Sequence, residues 1–266
     1  RQFPIGKVPE EYYELLKDGT FENYDVLRDK LFAKYPAEGR KAEKEAWNAT
    51  LGEVPDQEVD QRIRKKLGEA KKWVLIGGPP CQAYSMAGRS RTGGVSSDDH
   101  RVYLYKQYLR IIAVHQPPVF VMENVKGLLS AKLDGRSIFE MILEDLSDPS
   151  KVFTKTKCPK YKIYSLVKKP AGYSIGGHPL YPKTEDFLIE SEQYGIPQKR
   201  HRVILLGIRS DLSVKDIPIL HIEDQVPLKS IIRDLPRLRS GISRKKVGEK
   251  IIEGRRKILY LSLIHI

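Results

Sequence analysis

The sequence predicts an α/β domain organised around a parallel sheet. Three observations carry this reading. Two short apolar runs, Trp73-Val74-Leu75-Ile76 and Val119-Phe120-Val121-Met122, each stop abruptly at turn-forming or polar residues. Between them, Arg101 to His115 places Leu104, Tyr108, Ile111 and Ile112 at helical spacing, and Pro117-Pro118 ends that helix. Strand, loop, helix, strand is the βαβ pattern, whose parallel strands are buried on both faces.

The remaining elements come in order along the chain. Residues 8 to 72 are polar and charge-rich with scattered apolar positions. Glu10 to Leu16, Asn23 to Tyr35, Arg40 to Trp47 and Gln57 to Leu67 read as surface helices beside the core. Gly77-Gly78-Pro79-Pro80 closes the first strand, and residues 88 to 98, rich in Gly, Ser and Arg, read as a loop. The second strand is expected to stop at Glu123-Asn124, and Ser137 to Leu146 is the next helix. Tyr161 to Val167 alternates as a strand does, and Val203 to Gly207 is a clearer strand. Gly195-Ile196-Pro197 forms a turn, and the late strands suit an antiparallel edge. Ligands of open α/β sheets bind beyond the carboxyl ends of the strands, so residues 77–85 and 123–127 are expected to share one crevice.

Composition narrows the function classes. With 266 residues and 40% hydrophobic content, the chain can bury a sizeable core. No apolar run reaches the length of a bilayer-spanning helix, and Arg1 to Lys7 lacks a signal peptide's apolar region. Two cysteines, Cys81 and Cys158, are too few for a disulfide framework and suit a reducing cytosol. The histidines are scattered without ligand spacing, so no metal site is expected. A net charge of +13 favours a polyanion partner, against a solvated basic surface as the alternative. Arg237 to Lys257 carries nine basic residues against Glu249 and Glu253, which favours a polyanion contact near that end.

Four residues could carry chemistry. Cys81 follows two prolines at a strand end, where a thiol is placed to attack; nearby positive charge would be needed to favour the thiolate. The alternative is an inert buried cysteine. Glu123 is either an exposed strand-end acid or a partly desolvated carboxyl whose proton can be shared with a base nitrogen. Arg200 and Arg202 alternate and would face the same way, either to hold an anion or to keep an edge strand from aggregating.

Gly78-Pro79-Pro80-Cys81-Gln82 with Ser85 resembles the nucleophile motif of cytosine-C5 DNA methyltransferases. Glu123-Asn124-Val125 with Gly127-Leu128 is similar to their second catalytic motif. Tyr194-Gly195-Ile196-Pro197 followed by Gln198-Lys199-Arg200-His201-Arg202 resembles their Gln-x-Arg-x-Arg segment, and Asp99 to Leu104 resembles the acidic-x-Arg segment between the first two. Order and spacing make the resemblance specific over residues 73 to 236.

The resemblance implies a Rossmann-like class I S-adenosylmethionine-dependent methyltransferase domain. It implies that Cys81 attacks C6 of a cytosine flipped out of duplex DNA, with Glu123 at N3, Arg202 holding Glu123 and the base, and Arg200 in support. Pro80 and Leu104 would touch S-adenosylmethionine; Gln82, Ser85, Arg89, Arg91, Asn124 and Gln198 would touch DNA; and the loop Ala87 to Ser97 would close over it. A bacterial, cytoplasmic, nucleoid-associated modification enzyme is implied, with a restriction endonuclease as functional rather than physical partner.

The chain departs from the pattern at both ends. Residues 1 to 72 lack the family's glycine-rich cofactor motif, so 1–236 is expected to be a partial catalytic domain without much of the cofactor pocket. Residues 237–260 read as the start of a target-recognition domain, whose return motifs are missing. Residues 261–266, Leu-Ser-Leu-Ile-His-Ile, resemble the translation of a transposon adapter from sequencing libraries. Three rivals remain: a tRNA cytosine methyltransferase of the same fold, a non-catalytic basic nucleic-acid-binding protein, and a Cys-His hydrolase, for which no oriented histidine is recognisable.

Overall fold

The computed structural model describes residues 3, 6–18, 23–45, 47–80, 104–214 and 216–235 with their side chains, and the strand backbones of 245–252 and 255–261. Cys81, Gln82, Ser85, Arg89 and Arg91, with the loop Ala87 to Ser97, lie outside the described residues.

The helices α1 Glu10–Asp18, α2 Tyr24–Lys34, α3 Pro36–Glu45 and α4 Asp56–Leu67 fall in the charged N-terminal region, as expected. Helix α3 begins before the predicted Arg40, because Pro36 has its φ already fixed for a first helical turn. Strand β1 Val74–Gly77, helix α5 Tyr105–His115 and strand β2 Val119–Val125 come next, then the short β3 Lys132–Leu133 and β4 Arg136–Ser137. Helix α6 Ile138–Ser147 starts on Ser137, whose hydroxyl accepts the Glu140 amide. Strands β5 Tyr161–Tyr164, β6 Gly172–Tyr173, β7 Pro179–Leu180, β8 Leu188–Glu190 and β9 His201–Arg209 precede a short α7 Leu228–Ile231. The hairpin β10 Lys245–Ile252 and β11 Arg255–Leu261 closes the described chain.

Strands β1 and β2 are parallel, Val74 opposite Val119 and Gly77 opposite Met122, which bears out the βαβ reading. Three expectations change. Strand β2 does not stop at Glu123; it runs through Glu123 and Asn124 to Val125, because β9 pairs with it along that whole length. Strand β9 is interior rather than an edge: it lies antiparallel to β2 on one side and to β5 and β8 on the other. The sheet is therefore mixed. Strand β1 is not buried on both faces, since Val74 is 51% and Ile76 75% exposed.

The other face is well covered. Tyr108, Leu109 and Ile112 of α5 and Ile138, Phe139, Ile142 and Leu146 of α6 pack with Phe120, Met122, Val203 and Leu205 of the sheet. Tyr108 lies across the β1–β2 seam, its hydroxyl proton shared between the carbonyls of Leu75 at 3.2 Å and Val121 at 3.0 Å. Its ring occupies the space where a Cβ at Gly77 would stand. Gly207 does the same for the Phe120 ring, whose nearest carbons would lie 2.1 Å from an added Cβ.

Helix α4 is tied to α5 by charge. Arg110 Nη1 lies 3.1 Å from both carboxylate oxygens of Asp60, and His115 Nε2 is 2.8 Å from one of them. Burial alone would raise the Asp60 carboxyl, but the His115 hydrogen bond and the Arg110 charge outweigh it and hold the group below its ordinary value. A carboxylate depressed in the folded state stabilises the fold above its unfolded value, near ~3.9, and loses that contribution as pH falls through the folded value.

This packing makes two substitutions informative. Gly207→Ala forces the Phe120 ring out of place and costs about 3 kcal/mol or more of unfolding free energy, measured by urea denaturation; a cost below about 1 kcal/mol would contradict the contact. Asp60→Asn lowers stability at neutral pH by roughly 2 kcal/mol and flattens the acid side of the profile below about pH 4. Thermal melts across that range check this, and a mutant profile parallel to the wild type's would rule it out.

Candidate functional site

The register of β1 and β2 builds the site. Because Gly77 stands opposite Met122, the next residues, Gly78 and Pro79, come alongside Glu123 and Asn124. The Asn124 amide donates to the Pro79 carbonyl at 3.5 Å, while its own carbonyl oxygen accepts the Val125 amide at 2.9 Å. Asn124 is only 3% exposed, so this side chain is part of the packed core that links the two strand ends.

Side chains alternate across a strand, so Glu123 points away from Met122 and Asn124, toward the open face. Arg202 stands on the same face, at the start of β9, opposite Val125. Its Nε lies 2.7 Å from Glu123 Oε1, but the N–H is not aimed at the oxygen, so the contact is an ion pair rather than a formed hydrogen bond. One Arg202 terminal nitrogen donates to the His201 carbonyl at 2.8 Å, which fixes the guanidinium. The second carboxylate oxygen, Oε2, faces Gly78 and would be 3.1 Å from a Cβ there. One oxygen of Glu123 is thus neutralised, and the other faces the segment leading into Pro80 and Cys81.

The remaining expected residues are placed unevenly. Arg200 is exposed and precedes β9, so its guanidinium is not part of the Glu123–Arg202 pair. Gln198 is exposed as well. Pro80 lies just past the end of β1, and Leu104 is the half-buried residue before α5. Cys158, the other cysteine, is half-buried away from Glu123 and Arg202, and burial, with the Asp148 charge adding to it, pushes its thiol up to about 11 and disfavours the thiolate.

Sequence reasoning misses Ser191. It is buried, and its hydroxyl donates to the Gln198 carbonyl at 2.6 Å and accepts the Arg200 amide at 2.9 Å. Its neighbour Glu192 pairs with His201 at 2.9 Å, and that ring, with the residue's own amide, holds the Glu192 carboxyl below the usual range. Together they fix the segment that delivers Arg202. No local signal marks this serine; only the fold brings positions 191 and 200 together.

The sheet brings a carboxylate, Glu123, and an arginine, Arg202, together at the end where Gly78-Pro79-Pro80 leaves β1, within a mixed α/β domain. Comparison makes the class specific: the profile described as C-5 cytosine-specific DNA methylase matches residues 34–149 and 183–258, and the chain belongs to that family. A type II methyltransferase of Bacillus paralicheniformis, M.Bpa9945I, is 28% identical over 86% of this chain and 49% of its own length. The DNA (cytosine-5-)-methyltransferase M.ApeKI of Aeropyrum pernix is 33% identical over 53% of this chain and 28% of its own. The solved Entamoeba histolytica methyltransferase EhMeth aligns at a TM-score of 0.40 and 14% identity, over 70% of this chain and 45% of that one. The chain thus spans less than half the length of these relatives.

Ser191→Ala is expected to cost about 1–2 kcal/mol and to speed amide hydrogen exchange at 198–200. Unchanged exchange at those amides would show that the hydroxyl does not hold the segment.

Proposed function

We propose that the protein transfers a methyl group from S-adenosylmethionine to C5 of cytosine in duplex DNA through a covalent Cys81 adduct. The observation that supports this best is the Glu123–Arg202 pair beside Gly78-Pro79-Pro80, the lead-in to Cys81, in a chain of the cytosine-C5 methylase family.

The residues account for the chemistry. Addition of the Cys81 thiolate to C6 forms a carbon–sulfur bond and pushes an electron pair toward C5 and the ring. Glu123 Oε2, the oxygen not paired with Arg202, holds a proton at N3 and so stabilises that developing charge. C5, made nucleophilic by that addition, would take an electrophilic methyl group from bound S-adenosylmethionine, whose sulfonium carbon–sulfur bond would break to leave S-adenosylhomocysteine. Loss of the C5 proton then expels the thiolate and restores the ring. Arg202 keeps Glu123 in place through the cycle, and the target base is flipped out of the stack to reach the cleft.

Pro80 and Leu104 fit the cofactor as apolar contacts only. Neither side chain offers a charge or a hydrogen bond, so the polar contacts come from other residues. When bound, the cofactor supplies an electrophilic methyl group. The type II names of the relatives support a modification enzyme of a bacterial cytoplasm, functionally paired with a restriction endonuclease.

The test is covalent trapping. Duplex DNA carrying 5-fluorocytosine, which has no C5 proton to lose, is mixed with the protein and S-adenosylmethionine. A denaturation-resistant adduct is expected, absent in Cys81→Ser and formed at least ~100-fold more slowly in Glu123→Gln. No adduct on DNA but one on tRNA would assign the chain to RNA instead; an adduct surviving in Cys81→Ser would remove the nucleophile.

A further inference from the structure

We propose that Lys168 and Lys169, from the segment between the two family-matched blocks, form with Lys126 a track for the phosphodiester backbone of duplex DNA. The inference rests on the DNA methyltransferase reading and adds a contact surface to it.

The segment 150–182 falls between the matched blocks 34–149 and 183–258. It holds seven lysines and no aspartate or glutamate, and all of these lysines but Lys162 are exposed. A surface built only for solubility mixes both signs; a one-sided run is the mark of a polyanion contact.

The fold divides these lysines. Strand β5 runs antiparallel to β9, with Tyr161 opposite Arg209 and Tyr164 opposite Leu206. The chain entering β5 therefore lies at the far end of the sheet, and the chain leaving it turns toward the Arg202 end. Lys168 and Lys169 are on the leaving side. With Lys126, Tyr194 and His221 they line a groove of about 670 Å³. Lys126 comes directly after β2, three residues past Glu123, and Tyr194 opens the turn into Gln198 and Arg202. The groove is thus linked along the chain to Glu123 and Arg202 by two separate segments, although neither of those side chains lines it.

The lysine turn is held in place. Ser165, only 1% exposed, accepts the amides of Val167 and Lys168, both at 3.0 Å, and donates to the Asp186 carbonyl. The Leu220 amide donates to the Leu166 carbonyl at 2.7 Å, joining the turn to the opposite wall. Such preorganisation lowers the entropy cost of placing two ammonium groups against phosphates. Two acids also line the groove. Glu190 is engaged by Gln193 and lies 3.7 Å from His201, and Glu185 accepts the Thr184 hydroxyl. Lys169 meets Asp216 at 3.4 Å, an exposed pair that holds it too weakly to compete with a phosphate.

Each lysine–phosphate contact releases counterions and adds ~0.9 to the slope of log K against log salt. The test measures binding of a labelled duplex by fluorescence anisotropy over a range of KCl concentrations. Lys168→Gln/Lys169→Gln is expected to reduce the slope by about 1.8, and Lys126→Gln by about 0.9. Lys151→Gln/Lys155→Gln, at the far end of the sheet, should leave the slope unchanged. An unchanged slope in the Lys168/Lys169 variant, or an equal fall in the Lys151/Lys155 control, overturns the track. If the wild type still forms the 5-fluorocytosine adduct in that case, the methyltransferase reading stands alone. A wild type that binds tRNA but no duplex overturns both.

Discussion

The site depends on the parallel pairing of two strand ends. Strand β1 contributes only Val74 to Gly77, yet its register against β2 decides that Gly78 meets Glu123 and Pro79 meets Asn124. A slip of one residue would turn every side chain of β1 to the opposite face. Register in such a short strand needs outside reinforcement, and Tyr108 supplies it. Its ring fits only against a glycine at 77, and its hydroxyl shares its proton between carbonyls on both strands. Burial pushes the Tyr108 hydroxyl far above its ordinary value, so it remains a donor under any working condition.

The same seam separates structure from chemistry. The face toward α5 and α6 holds Phe120, Met122, Val203 and Leu205, all close-packed. The opposite face carries Val74, Ile76, Glu123 and Arg202, and Val74 and Ile76 are exposed among the described residues. Alternation along β2 puts Glu123 and Asn124 to different uses, although they are adjacent in sequence: one lies on the Arg202 face, and the other is buried as a strut. The short Asn124 amide suits the strut, since it can both donate to Pro79 and accept from Val125.

Much of this is legible in the sequence because the relevant signals are local. Apolar runs ending in glycine and proline locate β1, helical spacing locates α5, and the two motif residues Glu123 and Arg202 lie 2.7 Å apart. The features that escape sequence reading are consequences of pairing between distant segments. Strand β9 reads as an edge because its entry is basic, but its partners β2 and β5 come from far earlier in the chain, and β8 is too short to stand out. The second strand reads as ending early because Glu123 and Asn124 are polar; ladder bonds to β9 override that local preference. Ser191 and the Asp60–Arg110–His115 tie are invisible for the same reason, since neither has a pattern until the chain folds.

Gly78 brings these constraints to one atom. It lies beyond the last paired residue of β1, on the Glu123 side, where the chain must turn into two prolines. Any Cβ there would stand 3.1 Å from Oε2 and 3.7 Å from the Glu123 carbonyl, crowding the one carboxylate oxygen that Arg202 leaves free. The glycine thus spares Oε2 a close contact, and its backbone angle is an ordinary one. Pro79 and Pro80 then restrict the directions in which the chain can leave, while the Asn124 amide holds the first of them by its carbonyl. The carboxylate is fixed from one side by Arg202 and left clear on the other by the absence of a side chain. Among the described residues, Oε1 is thus paired with Arg202 while Oε2 faces a glycine.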